Sequence, residues 1–139
     1  MKKFINCILY LWQLPQHILA LLLEAVLCWS CTRSDDYNGN HVIVCPVITT
    51  ALSLGKYIFM NPSTTQTGLQ HESGHCKQSL ILGPVYLLVI AIPSVLHFAV
   101  LQIARKFGKR WDYYSFYTEK WADSLAGITR LYLNPPIWK

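Results

Sequence analysis

The feature that most constrains this chain is a run of 27 residues, 78–104, with no Asp, Glu, Lys or Arg. It is long enough to cross a bilayer, which takes about 20 apolar residues. Pro84 and Pro93 cut it, and a proline inside a helix removes a hydrogen bond and crowds the preceding turn. The run ends on Arg105, Lys106, Lys109 and Arg110, a cluster suited to anionic lipid headgroups. A nucleic-acid surface fits the cluster less well, because no stripe of interleaved basic and aromatic residues continues it. Membrane lipid is therefore an expected partner, and nucleic acid is not.

Composition agrees. Only 14% of residues are charged and 53% are hydrophobic, against about 25% charged in an ordinary soluble domain. The balance excludes a disordered chain. The N-terminus repeats the theme: Met1-Lys2-Lys3 precedes an uncharged stretch, 4–23. No small-residue cleavage site is present after it, since Glu24-Ala25-Val26-Leu27 precedes Cys28. Residues 1–31 are thus expected to be a retained apolar helix or membrane anchor, kinked or folded as an interfacial hairpin at Pro15. Residues 32–139 would form the remaining domain, with 78–104 as its apolar segment. The five cysteines are an odd number, which argues against a fully paired disulfide framework. Cys28-x-x-Cys31 lacks the second pair of a four-sulfur zinc site, so it reads as two small residues at a membrane edge.

Asn38-Gly39 signals a turn within the polar stretch 32–41. Two runs rich in β-branched and aromatic residues come next, 41–48 and 51–60. Pro46 demotes the first to an edge or broken strand. A helix fits 68–82, stopped by Gly83-Pro84, and another fits 118–131, capped by Thr118 with Pro135-Pro136 beyond it. Trp111, Tyr113, Tyr114, Tyr117 and Trp121 suit a headgroup-level belt or a packed aromatic core. The expected fold is α+β and mainly helical, with a small edge sheet beside the 68–82 helix and apolar membrane-associated helices.

His71-Glu72-Ser73-Gly74-His75 carries the chemistry. Residues four apart share a helix face, so both imidazoles can reach one Zn²⁺. Glu72, one position along, is offset to take a proton from an attacking water. Gly74 keeps the turn slim where substrate or a strand would approach. A catalytic zinc needs a third protein ligand and an open position. Only three acidic side chains lie beyond Glu72: Asp112, Glu119 and Asp123. Glu119 and Asp123 share a face of the last helix. Glu119 could ligate while Asp123 bonds the outer nitrogen of a ligating histidine; Asp112 is a rival ligand. Without the upstream motif, the Glu119/Asp123 pair would read as a solvated helix face, and His97 as an interior histidine.

His71-Glu72-x-x-His75 followed by Glu119-Lys120-Trp121-Ala122-Asp123 resembles the gluzincin metalloproteases. The E-x-x-A-D form is similar to membrane zinc proteases of the CAAX prenyl endopeptidase and heat-shock type, and the length to small single-site gluzincins. Residues 71–86 also look like small bacterial membrane-associated proteins. The resemblance covers roughly residues 50–130. It implies His71, His75 and Glu119 as zinc ligands, Glu72 as general base and acid, and Asp123 as partner of His71. It further implies that an edge strand, here within 51–60, pairs with a peptide substrate. His97, Tyr114 and Tyr117 are candidates to stabilise the oxyanion.

The apolar run and the metal site conflict. If 78–104 crossed a bilayer once, Glu119 would have to return past Arg105, Lys106, Lys109, Arg110 and Asp112, each costly at membrane depth. The site and a single crossing therefore look nearly exclusive. Pro93 should mark a hairpin, or the segment should be a buried core helix. The expectation is a membrane-associated zinc peptidase of a bacterial cell membrane. Lys2, Lys3 and the 105–110 cluster suggest an active site near the cytoplasmic face. Other readings are a non-catalytic membrane protein with a structural or vestigial zinc site, and a soluble proteolytic domain.

Overall fold

A computed structural model describes residues 2–33 and 36–130. Gln13 divides the N-terminal apolar run into α1 (Lys2–Trp12) and α2 (Leu14–Leu27), which meet at 78°. Pro15 falls in the first turn of α2, where its missing N–H has no helical partner to lose. Several contacts tie α2 to the rest of the chain. Ala20 packs in a core with Ile43, Cys45, Leu54, Tyr57 and Phe59, and the Gln16 amide donates to the Gly83 carbonyl. His17 Nε2 accepts the Lys56 N–H at 3.2 Å. Gly55, at φ +63°, passes so close to that ring that a Cβ would lie 2.3 Å from it.

The sheet comprises β1 (Thr32–Arg33), β2 (His41–Val44), β3 (Leu52–Leu54) and β4 (Tyr57–Met60), in the order β1-β2-β4-β3. β2 runs parallel to β4, and β3 pairs antiparallel with β4 across the Gly55-Lys56 turn. β2 stops before Pro46, as expected of a broken strand, but it lies inside the sheet because β1 covers its flank. The antiparallel pairing of Thr32 with Val44 brings the neighbouring Cys31 and Cys45 together in a disulfide. This corrects the reading of Cys31 as a bland small residue: its partner is 14 positions away. The bridge and the α2 core join the two sides of the boundary expected at residue 31.

α3 (Gln66–Leu82) carries the H-E-x-x-H residues. Thr65 Oγ1 accepts the Gly68 N–H at 3.2 Å and caps it, and the helix ends at Gly83, φ +54°, before Pro84. A π-helical stretch, Leu87–Ala91, then passes directly into α4 (Ile92–Lys106). Together Leu87–Lys106 is one helix of 20 residues, so there is no hairpin at Pro93. The widened turn admits the proline ring. Pro93 cannot donate to Val89, four residues back, and the Tyr117 hydroxyl donates to that carbonyl instead at 2.6 Å. Nor is the segment a buried core helix: only 17% of its apolar window is buried.

The chain then doubles back along this helix. Phe116 and Tyr113 stack on His97, at 4.2 and 5.9 Å between ring centres. α5 (Tyr117–Ala126) packs against α3 and α4 and ends on Gly127 at φ +72°. α5 is shorter than the expected 118–131. Phe116 takes the cap position, while Thr118 lies inside the helix, fully buried. Leu131 and Pro135-Pro136 lie outside the described residues. One apolar helix of spanning length and the convergence of α3 with α5 therefore coexist, because 107–116 folds back beside α4. The architecture is α+β and mainly helical, with β3 as the sheet edge beside α3.

Candidate metal centre

The two turns of α3 that carry His71 and His75 face the first turns of α5. Gly74 makes this possible. A Cβ there would lie 2.1 Å from the carbonyl oxygen of Ala122, so the two backbones touch. The slimness of Gly74 thus serves the α3–α5 contact rather than an approaching substrate or strand.

Across this contact Glu119 Oε2 lies 3.1 Å from His71 Nε2 and 3.3 Å from His75 Nε2. All three side chains are buried, and their ligand atoms lie within 4.8 Å of one another. A tetrahedral ion with bonds of about 2.0–2.1 Å separates its ligand atoms by roughly 3.3–3.4 Å. The two carboxylate–imidazole spacings are close to the edges of such a tetrahedron, and the group could hold a metal ion.

The outer atoms of each ligand are fixed. His71 Nδ1 bonds Asp123 Oδ1 at 2.7 Å, and Asp123 Oδ2 accepts from Arg130 Nε at 2.7 Å. His75 Nδ1 lies 2.7 Å from Gln78 Oε1, whose amide nitrogen donates to the Thr118 carbonyl at 2.8 Å. That carbonyl can only accept, so the Gln78 oxygen must face His75 and the imidazole must donate. Both histidines therefore donate from Nδ1 and turn Nε2 inward. Glu119 Oε1 accepts from Ser94 Oγ and Thr118 Oγ1, each at 2.9 Å, leaving Oε2 to face the imidazoles.

With both Nδ1 atoms protonated, neutral imidazoles would aim two lone pairs at a carboxylate oxygen. Only a proton or a cation can sit there. In the metal-free protein a proton does. Burial works to lower the pKa of His75, but the Glu119 hydrogen bond and the Glu72 charge outweigh it and raise the imidazole to about 9. Burial works to raise the Glu119 pKa, but the hydrogen bonds from His71 and His75 hold it well below the usual carboxylate range.

Glu72 lines the neighbouring cavity, of about 590 Å³. Ser53 Oγ, on the edge strand β3, donates to Glu72 Oε2 at 2.6 Å. The cavity runs from β3 and α3 along one face of α4, past Val95, Phe98 and Leu101 to Arg105.

The structure thus brings His71, His75, Glu119 and Asp123 together and sets Glu72 beside them. It separates others. Asp112 caps the Tyr113–Ser115 turn by accepting the Tyr114 N–H at 3.0 Å, outside the cluster. Tyr117 is used by Val89, and His97 is held in its aromatic stack. Tyr114 does line the cavity, its ring 5.3 Å from and perpendicular to that of His71. With Tyr113 it forms a packed aromatic wall. Burial pushes the Cys76 thiol up to about 12, and it stands outside the ligand group. Sequence reasoning missed Gln78, Ser94, Thr118, Ser53 and Arg130. Gln78 had a signal, three residues from His75 on one helix face; Ser94 and Ser53 had none.

The fold and site define an α+β chain with a buried His/His/Glu group able to hold a metal. No family model, curated protein or solved structure matches the chain.

Proposed function

We propose that this protein is a membrane-associated zinc-dependent peptidase. The observation that carries the reading is the convergence of His71 Nε2, His75 Nε2 and Glu119 Oε2 on one point, each with its outer atoms held. Two imidazoles and one carboxylate are a donor set suited to zinc, and three ligands leave the open position that a catalytic ion requires. A structural zinc would be closed by a fourth protein ligand; among the described residues the group has three members.

When bound, zinc would polarise a carbonyl and acidify a water. The chain's own residues supply the rest. Asp123 and Gln78 lock the ring orientations of His71 and His75. Ser94 and Thr118 fix the Glu119 carboxylate. Glu72, steadied by Ser53, takes the proton from the attacking water and returns it to the leaving amine. β3 is the last strand of the sheet, and Leu52 and Ser53 line the cavity, so it is the strand that would meet an extended peptide.

The membrane assignment is supported by the outer face of the Leu87–Lys106 helix. Leu88, Val95, Leu96 and Ile103 there are each more than half exposed, as are Phe4 and Leu11 on α1 and Leu22 and Val26 on α2. Exposed apolar surface this extensive is unusual on a soluble monomer.

Elemental analysis of purified wild type, Glu119→Ala and Glu72→Ala tests the reading. Wild type should carry one zinc per chain, Glu119→Ala little, and Glu72→Ala a full complement without peptide hydrolysis. Wild type free of zinc under metal-replete conditions would refute the centre. Hydrolysis by Glu72→Ala would remove Glu72 from its role.

A further inference from the structure

The disulfide and the charges bear on which side of the membrane the site serves. The Leu87–Lys106 helix has 20 residues and is about 30 Å long, the thickness of a hydrocarbon core. Its two ends differ. Arg105, Lys106, Lys109 and Arg110 crowd the C-terminal end. The nearest cation before Leu87 is Lys77, tied to the Leu125 carbonyl at 2.7 Å. Short flanks rich in Lys and Arg remain in the cytoplasm. The opposite end is joined to the sheet: Tyr86, just before Leu87, donates its hydroxyl to the Ser53 carbonyl at 3.2 Å. That sheet carries the Cys31–Cys45 bridge. Disulfides persist in oxidising compartments and are rare in the cytosol. Two unrelated rules, one of charge and one of thiol chemistry, give the same orientation.

We propose that Leu87–Lys106 crosses the membrane with its basic end in the cytoplasm and the disulfide-tied sheet on the oxidising side. The His71/His75/Glu119 centre then takes polypeptide presented from outside the cytoplasm. Ser94, the anchor of Glu119, lies seven residues from Leu87 and eleven from Arg105, or about 10 and 16 Å along the helix. The centre is therefore nearer the sheet side. Of the return segment 107–116, Lys109 and Arg110 stay exposed at the basic end, Asp112 is engaged by the Tyr114 N–H, and Tyr113 and Tyr114, which come back beside His97, line the cavity. This reverses the cytoplasmic placement expected from the basic residues. The 105–110 cluster does mark the cytoplasmic end, but the site lies toward the other. The substrate class becomes exported or membrane-anchored chains. The inference rests on the proposed membrane association and is independent of zinc.

The test uses the full chain in bacterial membranes, in a Cys7→Ser/Cys28→Ser background that keeps the bridge and the buried Cys76. After denaturation, a polyethylene-glycol maleimide should add one label per chain without reductant and three with it. Single cysteines are then introduced at exposed Thr49, on the sheet side, or exposed Lys106, at the basic end. A membrane-impermeant maleimide applied to intact spheroplasts should label Thr49→Cys at least tenfold faster than Lys106→Cys. Three labels without reductant, or faster labelling of Lys106→Cys, overturns the orientation. A chain absent from the membrane fraction overturns the membrane association itself, whatever its thiols show.

Discussion

Replacing Gly74 by alanine adds one methyl group and should dismantle the metal centre from behind. The new Cβ would lie 2.1 Å from the Ala122 carbonyl oxygen and 2.7 Å from its carbon, where real Cβ contacts essentially never fall under 3.0 Å. α3 and α5 must therefore part by about 1 Å. The obstacle is backbone, so no side-chain rotation relieves it. Glu119 sits one turn before Ala122 on α5, and its second oxygen is tied to Ser94 and Thr118, so it cannot simply swing back. Metal–ligand distances tolerate about 0.2 Å. Changes to groups that merely support a ligand cost roughly 10–100-fold in affinity; displacing the ligand itself should cost at least about 100-fold. The same overpacking should remove about 1–3 kcal/mol of stability. Competition against a chromophoric zinc chelator measures the first effect, and thermal melting followed by circular dichroism the second. A Gly74→Ala protein that binds zinc within about threefold of wild type, with an unchanged melting temperature, would show that the α3–α5 contact does not set the ligand geometry.

Other consequences can be measured separately. Ser53→Ala removes the 2.6 Å bond to Glu72 and should lower kcat by about tenfold or more while zinc content stays at wild-type level; unchanged kcat would mean that Glu72 needs no support. Tyr117→Phe leaves the Val89 carbonyl without the donor that replaces Pro93, at a cost of about 0.5–1.5 kcal/mol in denaturant unfolding. Adding Pro93→Ala, which restores an N–H, should recover part of that loss. The pH dependences should run in opposite directions with and without metal. In the metal-free protein the His75 pKa is raised from 6.5 to about 9. Its contribution to stability is therefore full below about 6.5 and lost as pH rises through about 9. Zinc must displace that proton, so affinity should climb about tenfold per pH unit until about 9. A metal-free melting temperature that rises over this range, or a flat zinc affinity, contradicts the assignment.

The sequence alone determined whatever depends on helical repeat. His71 with His75, and Glu119 with Asp123, stand four apart, and a helix puts such pairs on one face whatever surrounds it. The stop of α3 at Gly83-Pro84 is legible because proline geometry is local, whereas its start lies at Gln66, two residues before the expected 68, with Thr65 as a cap in a stretch that the sequence reads as loop. The small number of acids made Glu119 and Asp123 conspicuous partners for the upstream motif. Tertiary structure decided what local rules cannot reach. Pro93 reads as a break in any isolated helix, yet Tyr117, 24 positions on, supplies the missing donor and the helix continues. Cys31 and Cys45 become partners only when β1 and β2 pair. Ser94 and Ser53 are ordinary serines until the fold brings them to Glu119 and Glu72. Spacing along one helix is fixed by backbone geometry; contact between elements is fixed by which faces bury together, and here the approach of Gly74 to Ala122 sets that contact.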